Sequence, residues 1–272
     1  MDVTTDSWMA CDGAVHVMFG SFHRPPRSET DFGIKPYYRE LWQRATCGHI
    51  ANRHAVDFAA IYSGPYRQTV YGARFTSTCE RIMALPQAKF DNRQRIQRIQ
   101  NYFTERVRAA AHTVPDVGSG LGVFVAAMRE AGWHCTAIDP DPVAVEHVQQ
   151  KLGVAERCGD FLTMPVEGPF ALVTFNQVLE HVVPMTEILS RDRGYLAPGG
   201  RVYVEVPDGE SAIKDAAEGP AHEELTVDHY YAFSAASLAP LTRRSGFAAK
   251  LIERVRDPSG KYTLRAFLSP AA

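Results

Sequence analysis

The sequence contains no run of about 18 apolar residues, the length that would suggest a transmembrane helix, so no membrane span is expected. Its first residues, MDVTTDSWMACDG, carry acids and no basic leader, so no signal peptide is expected either. Neither charge sign is in large excess: 29 Lys and Arg face 31 Asp and Glu, for a net charge of −2. A polyanion partner favours a basic face, so no nucleic-acid partner is expected. Cysteine is scarce and odd in number: Cys11, Cys47, Cys79, Cys135 and Cys158 are scattered along the chain. That pattern argues for reduced thiols and a cytoplasmic protein. There is no internal repeat and no low-complexity tract.

What is present divides in two. Residues 1–90 are rich in Tyr, His, Arg and Pro, with little periodicity, and read as a loop-rich cap with short helices. From Asp91 a helix is expected, with Ile96, Ile99, Phe103 and Val107 on one face. Asp91 and Gln94 fit a capping box, and Arg93, Arg95, Arg98 and Arg106 read as a solvated face. Beyond residue 111, short apolar runs at 112–117, 133–139, 171–177, 201–207, 248–255 and 262–268 read as strands, with helical patterns between most of them. This alternation predicts βαβ crossovers and a mainly parallel sheet. The last two strands, joined by Asp257-Pro-Ser-Gly260, predict a terminal antiparallel hairpin.

Asp116-Val-Gly118-Ser119-Gly120-Leu-Gly122 closes the first of these strands and opens a helix. Glycines let the backbone turn sharply and let a ligand approach it. The helix N-terminus adds N–H donors and a positive dipole end. The dinucleotide fingerprint G-x-G-x-x-G/A would need a small residue where Val123 stands, which argues against a nicotinamide cofactor. Asp139 ends the next strand, near the offset of a ribose-binding acid. Asp141 reads as the N-cap of the following helix. Pro115 inside the first strand removes a ladder donor and predicts an early end or a bulge.

These motifs, in this order, resemble the class I S-adenosylmethionine (SAM)-dependent methyltransferases, of the small-molecule type found in sugar and natural-product biosynthesis. The resemblance runs from about residue 110 to 270. It rests on Asp116-x-Gly118-x-Gly120-x-Gly122, on Asp139, on Gly159-Asp160-Phe161, on Phe175-Asn176-Gln177-Val178-Leu179-Glu180-His181-Val182, and on Leu196-Ala-Pro-Gly199-Gly200. It implies an α/β, Rossmann-like, mainly parallel seven-stranded sheet with helices on both faces, plus the loop-rich cap. It implies SAM as cofactor and S-adenosylhomocysteine as product. It places Asp116, Gly118, Ser119, Gly120, Gly122, Asp139, Pro140, Asp160, Phe161, Asn176 and Gln177 at the cofactor. The expected domains are a cap or substrate segment, 1–90, and a cofactor-binding domain, 91–272, with an acidic lid insertion at about 208–233.

The Asn/Asp-Pro-Pro-Tyr/Phe signature of exocyclic base-amine methylation is missing; Asn176-Gln177-Val178-Leu179 stands in its place. The expected acceptor is therefore a small molecule, methylated at a hydroxyl of a sugar-like or natural-product scaffold. N- or C-methylation, and a SAM-binding protein without catalysis, are the other readings. His229, in Asp228-His229-Tyr230-Tyr231, and His181 are the candidate general bases. Tyr230, Tyr231, Tyr62 and Tyr66 are the candidate acceptor contacts. Cys47-Gly48-His49 resembles half of a zinc knuckle, as in some sugar methyltransferases, but Arg44 stands where a partner cysteine would be. No metal is expected, and the aromatic cap is compatible with a homodimer.

Overall fold

The computed structural model describes residues 15–56, 58, 73–107, 112–215 and 217–271. Its main sheet has seven strands: β4 (Thr113–Val117), β5 (His134–Asp139), β6 (Ala155–Cys158), β7 (Phe170–Asn176), β8 (Leu196–Pro207), β10 (Phe247–Arg256) and β11 (Tyr262–Pro270). Their spatial order is β10-β11-β8-β7-β4-β5-β6. The five strands from β8 to β6 are parallel, and β11 and β10 add antiparallel to that edge. The chain moves outward from β4 through β5 to β6, then returns to place β7 on the other side of β4. That reversal opens a crevice at the carboxyl ends of β4 and β7.

The Rossmann-like architecture and the terminal hairpin agree with the expectation. Strand β6 escaped it because its four residues, AERC, are mostly exposed and carry no apolar run. Pro115 neither shortens β4 nor bulges it against β5, where the pairing runs unbroken from Thr113 to Val117. The missing donor is felt on the β7 side, where the ladder holds only at Asp116 and Val117.

Among the described residues the α-helices, in chain order, are α1 (Ala73–Met83), α2 (Asp91–Arg106), α3 (Val123–Glu130), α4 (Pro142–His147), α5 (Met185–Arg191), α6 (Gly209–Ala212) and α7 (Ala235–Arg244). In α2 the residue that precedes the first turn is Phe90, with no side-chain cap. The expected capping box is therefore replaced: the Asp91 carboxylate accepts from the Ser259 backbone N–H at 2.9 Å, which ties the hairpin turn to the helix. The Arg face of α2 is also corrected. Arg95 is buried and pairs with Glu205 of β8, and Arg98 pairs with Glu253 of β10 at 2.6 Å. Arg265 reaches the same Glu205 at 3.0 Å. Burial alone would raise the Glu205 carboxyl, but the two guanidiniums outweigh it and hold the group down at about 2.

The cap was expected to be loop-rich with short helices. Instead β1 (His16–Phe22), β2 (Arg39–Arg44) and β3 (Ile50–Arg53) form an antiparallel sheet, completed by β9 (Tyr231–Ala232) in the order β1-β2-β3-β9. Polar residues hide its alternation, because inward positions carry Arg39 and Asn52 beside Leu41 and Ile50. Each finds a partner: Arg39 pairs with buried Glu29 at 3.0 Å, and the Asn52 amide donates to the Thr226 carbonyl at 2.8 Å. The acidic 208–233 segment is accordingly packed in place. Its Leu225, Val227, Tyr231 and Phe233 are all buried, and the Val227 N–H donates to Glu29 at 3.0 Å.

Candidate active site

The glycine loop after β4 is held by its neighbour strand. The N–H groups of Gly118 and Ser119 donate to the Ile138 carbonyl at 2.8 and 3.2 Å. The three glycines have left-handed φ of +72°, +50° and +70°, yet they serve differently. A Cβ on Gly118 would stand 2.6 Å from the Val178 side chain, and one on Gly122 would stand 2.6 Å from Val148 and Leu152. Those two glycines allow close packing within the protein. A Cβ on Gly120 would meet nothing within 4 Å among the described residues. Gly120 thus faces open space at the mouth of the crevice, where a ligand can reach its backbone.

Asp139, at the end of β5, is buried. One carboxylate oxygen accepts from the Gly120 N–H at 2.8 Å and the other from the Asp141 N–H at 2.9 Å. A carboxylate offers about four acceptor positions, so this side chain can shape the loop and still bind hydroxyls. Asp141 caps α4 through the Val143 N–H at 3.0 Å, as expected. Pro140 beside it is exposed.

The other cofactor candidates separate on inspection. Asp116 is buried and accepts from the Thr174 hydroxyl and the Asn176 amide, each at 2.6 Å. Burial raises its carboxyl to about 7 despite these bonds. It ties β4 to β7 and leaves the Asn176 carbonyl oxygen without a partner among the described residues. Gln177 has φ +56°, the only left-handed non-glycine among the described residues, and its N–H donates to the Glu205 carbonyl. Backbone strain of this kind tends to collect at functional sites. Asp160 is exposed and accepts from the Leu162 N–H, while the Phe161 ring is buried against Phe175 and Tyr195.

Across the same end of the sheet, a short helical turn after β7 presents Glu180 and His181. The 208–233 segment brings Asp228 and His229 to them: the rings of His181 and His229 lie 4.7 Å apart, centroid to centroid. Nδ1 of His181 is 2.8 Å from the Asp228 carbonyl oxygen, and Nδ1 of His229 is 3.0 Å from the Glu224 carbonyl oxygen. Burial holds the His229 imidazole below its ordinary range, and so neutral at physiological pH. Glu180 is fully buried, its carboxyl is pushed well above its ordinary range by that burial, and among the described residues its oxygens find no partner beyond the residue's own amide.

Tyr230 is half-buried, stacked on His54 and edge-on to Phe58. Tyr231 is 1% exposed and packs against His49. It is part of the buried core around β9. Tyr62 and Tyr66 lie outside the described residues. No sequence motif marks His54. Cys47 and His49 flank the turn between β2 and β3. The Cys47 carbonyl accepts from the Ser234 hydroxyl, and His49 packs between Tyr231 and Phe233.

A family model described as a methyltransferase domain matches residues 84–251. The chain belongs to this methyltransferase family. A ubiquinone biosynthesis O-methyltransferase of Pseudomonas paraeruginosa is 32% identical over 111 residues, which are 38% of this chain and 48% of that protein. The corresponding enzyme of Azotobacter vinelandii is 32% identical over 110 residues, 38% and 47% of the two chains. The match thus spans about half the length of these curated relatives. Among solved structures, a Burkholderia thailandensis 1,6-didemethyltoxoflavin-N1-methyltransferase with bound substrate and S-adenosylhomocysteine superposes with a TM-score of 0.56. It has 20% identity, covering 84% of this chain and 97% of that one. A Synechocystis magnesium protoporphyrin IX methyltransferase with bound S-adenosylhomocysteine gives 0.56 at 15% identity, covering 79% and 100%. These superpositions speak for the fold. No helix among the described residues is long and apolar enough to cross a membrane.

Proposed function

We propose that this chain transfers the methyl group of SAM to a hydroxyl of a small sugar-like or natural-product molecule, releasing S-adenosylhomocysteine. The observation that carries the reading is the cradle at the switch point: an unobstructed Gly120 backbone beside the buried carboxylate of Asp139, with two paired imidazoles at the same end of the sheet. Gly118 to Gly122 and the first turn of α3 receive the amino-acid end of SAM. Asp139 accepts the ribose hydroxyls, with Pro140 beside it. Asp160 and the Phe161 segment border the adenine, and Asn176 and Gln177 line the passage to the sulfonium. His229, with His181 beside it, acts on the acceptor, and Tyr230 contacts it. The named activity of the curated relatives, O-methylation, favours oxygen as the attacked atom.

Methyl transfer is an in-line displacement at the sulfonium carbon, so positioning supplies much of the acceleration. A neutral alcohol must also give up its proton, and that requirement gives the two imidazoles a task. The test is a screen of candidate metabolites with methyl-labelled SAM, followed by mass spectrometry, alongside calorimetry with SAM and with NAD. The label should appear on a hydroxyl oxygen, with one S-adenosylhomocysteine formed per product. NAD binding without SAM binding overturns the whole reading, and label on nitrogen or carbon overturns the hydroxyl acceptor.

A further inference from the structure

We propose that Glu180, His181 and His229 hold a divalent transition-metal ion that takes the acceptor's hydroxyl oxygen as a further ligand. This deepens the proposed function: it rests on that reading for the acceptor, and it says that the imidazoles act through a cation instead of taking up the proton themselves.

Three independent features converge. First, one ligand-capable atom from each of the three side chains lies within 4.8 Å of the other two. With metal–ligand bonds of about 2.0–2.2 Å, a shift of roughly 1 Å closes the set. Second, the Nδ1 atoms of both histidines face backbone carbonyls, of Asp228 and Glu224. Each Nδ1 therefore donates, which assigns the metal to Nε2 of each ring. A second nitrogen anchored to a carbonyl is the arrangement that orients metal-binding histidines. Third, Glu180 is a fully buried carboxyl whose oxygens have, among the described residues, no partner beyond its own amide. A fully buried carboxyl ionises only where a counter-charge or a metal compensates it. Asp228, whose carboxylate is 3.9 Å from His181 Nδ1, adds negative charge behind the ligands.

Two imidazoles and one carboxylate suit zinc, iron(II), cobalt or manganese better than calcium or magnesium, which favour oxygen donors. Three protein ligands leave positions open for substrate. The acceptor O–H loses its proton to water when its oxygen binds the cation. The oxygen's electron pair then forms the new C–O bond, the C–S bond breaks, and its pair goes to sulfur. The absence of a metal from the sequence expectation concerned Cys47-Gly48-His49. This set is instead assembled from two segments separated by strand β8.

The test uses the full chain, freed of metal by a chelator and titrated with cobalt(II), whose visible absorption reports nitrogen and oxygen ligation. Saturable binding of one equivalent is expected, displaced by zinc. It should be lost in His229→Ala and in His181→Ala, and weakened in Glu180→Gln. Calorimetry with S-adenosylhomocysteine on the same samples should give unchanged affinity, so failure of the cofactor reading is seen separately. No saturable binding of cobalt, zinc or manganese overturns the proposal. So does binding that persists in both histidine variants, even where the label screen still shows methyl transfer.

Discussion

The two sides of the crevice are built in opposite ways. On the proposed cofactor side the loop from Gly118 to Gly122 and Asp139 belong to one βαβ unit, and the Gly120 N–H donates directly to Asp139. On the proposed acceptor side Glu180 and His181 follow β7, while Asp228 and His229 arrive after β8. The residues just before the latter pair are held by Glu29, from the connection between β1 and β2, and by Asn52 of β3. A site within one local unit can serve many acceptors unchanged, while a site assembled from distant segments can vary with each. That is how one cofactor cradle comes to support different chemistries.

The largest effect should break the sides apart. His229→Ala should lower kcat by about 10²–10⁴-fold, the range for losing a group that assists the acceptor's loss of its proton. SAM affinity, read by calorimetry, should stay nearly unchanged. A parallel fall in SAM affinity would show that the two sides are one unit.

Next in size is the buried pairing beneath both sides. Glu205→Gln leaves Arg95 and Arg265 without their shared carboxylate and should cost about 3–5 kcal/mol in denaturant unfolding at neutral pH. Its pH dependence has a definite sign. The folded carboxyl sits at about 2, below its ordinary unfolded value. Its stabilisation is therefore full above the unfolded value and fades as pH falls towards 2. The stability gap between wild type and variant should narrow on acidification, and a constant gap would remove Glu205 from this role.

Asp139→Ala should weaken SAM binding at least about tenfold, since each bond to a charged acceptor contributes roughly 1.5–3 kcal/mol. His229 chemistry at saturating SAM should survive. Unchanged affinity in a folded variant would refute the ribose assignment.

The smallest effects come from two glycines of one loop. Gly120→Ala should cost about 1–2 kcal/mol in thermal unfolding, the strain of a left-handed residue, while obstructing SAM. Gly118→Ala carries the same strain plus the clash with Val178, so it should destabilise more. Equal losses of stability would mean that Val178 yields, and that the contrast between a packed and an open glycine is not real.

The sequence was legible where function is local. The Gly118–Gly122 spacing, Asp139 at a strand end and the Asp141 cap each depend on neighbours a few residues away, and the structure shows their contacts. It was illegible where burial reverses appearance. Arg95 looks like a solvent residue until Glu205 faces it. Arg39 and Asn52 break the alternation of a strand until Glu29 and the Thr226 carbonyl are in place. Asp116 matches a cofactor motif, and nothing in that motif announces that its Oδ1 also accepts from Thr174 and Asn176 of β7.

The amino-acid sequence by itself determined the methyltransferase sheet, the order of its motifs and the place of the glycine loop. Periodicity, turn residues and caps are properties of short stretches of chain, and they survive without any knowledge of the whole. Only the tertiary structure decided that an N-terminal sheet clasps the 224–233 segment, that Tyr231 lies in the core, and that Glu180 meets His181 and His229. Those outcomes depend on which buried polar group finds which partner across long separations, and that is settled by the cost of leaving any of them unpaired.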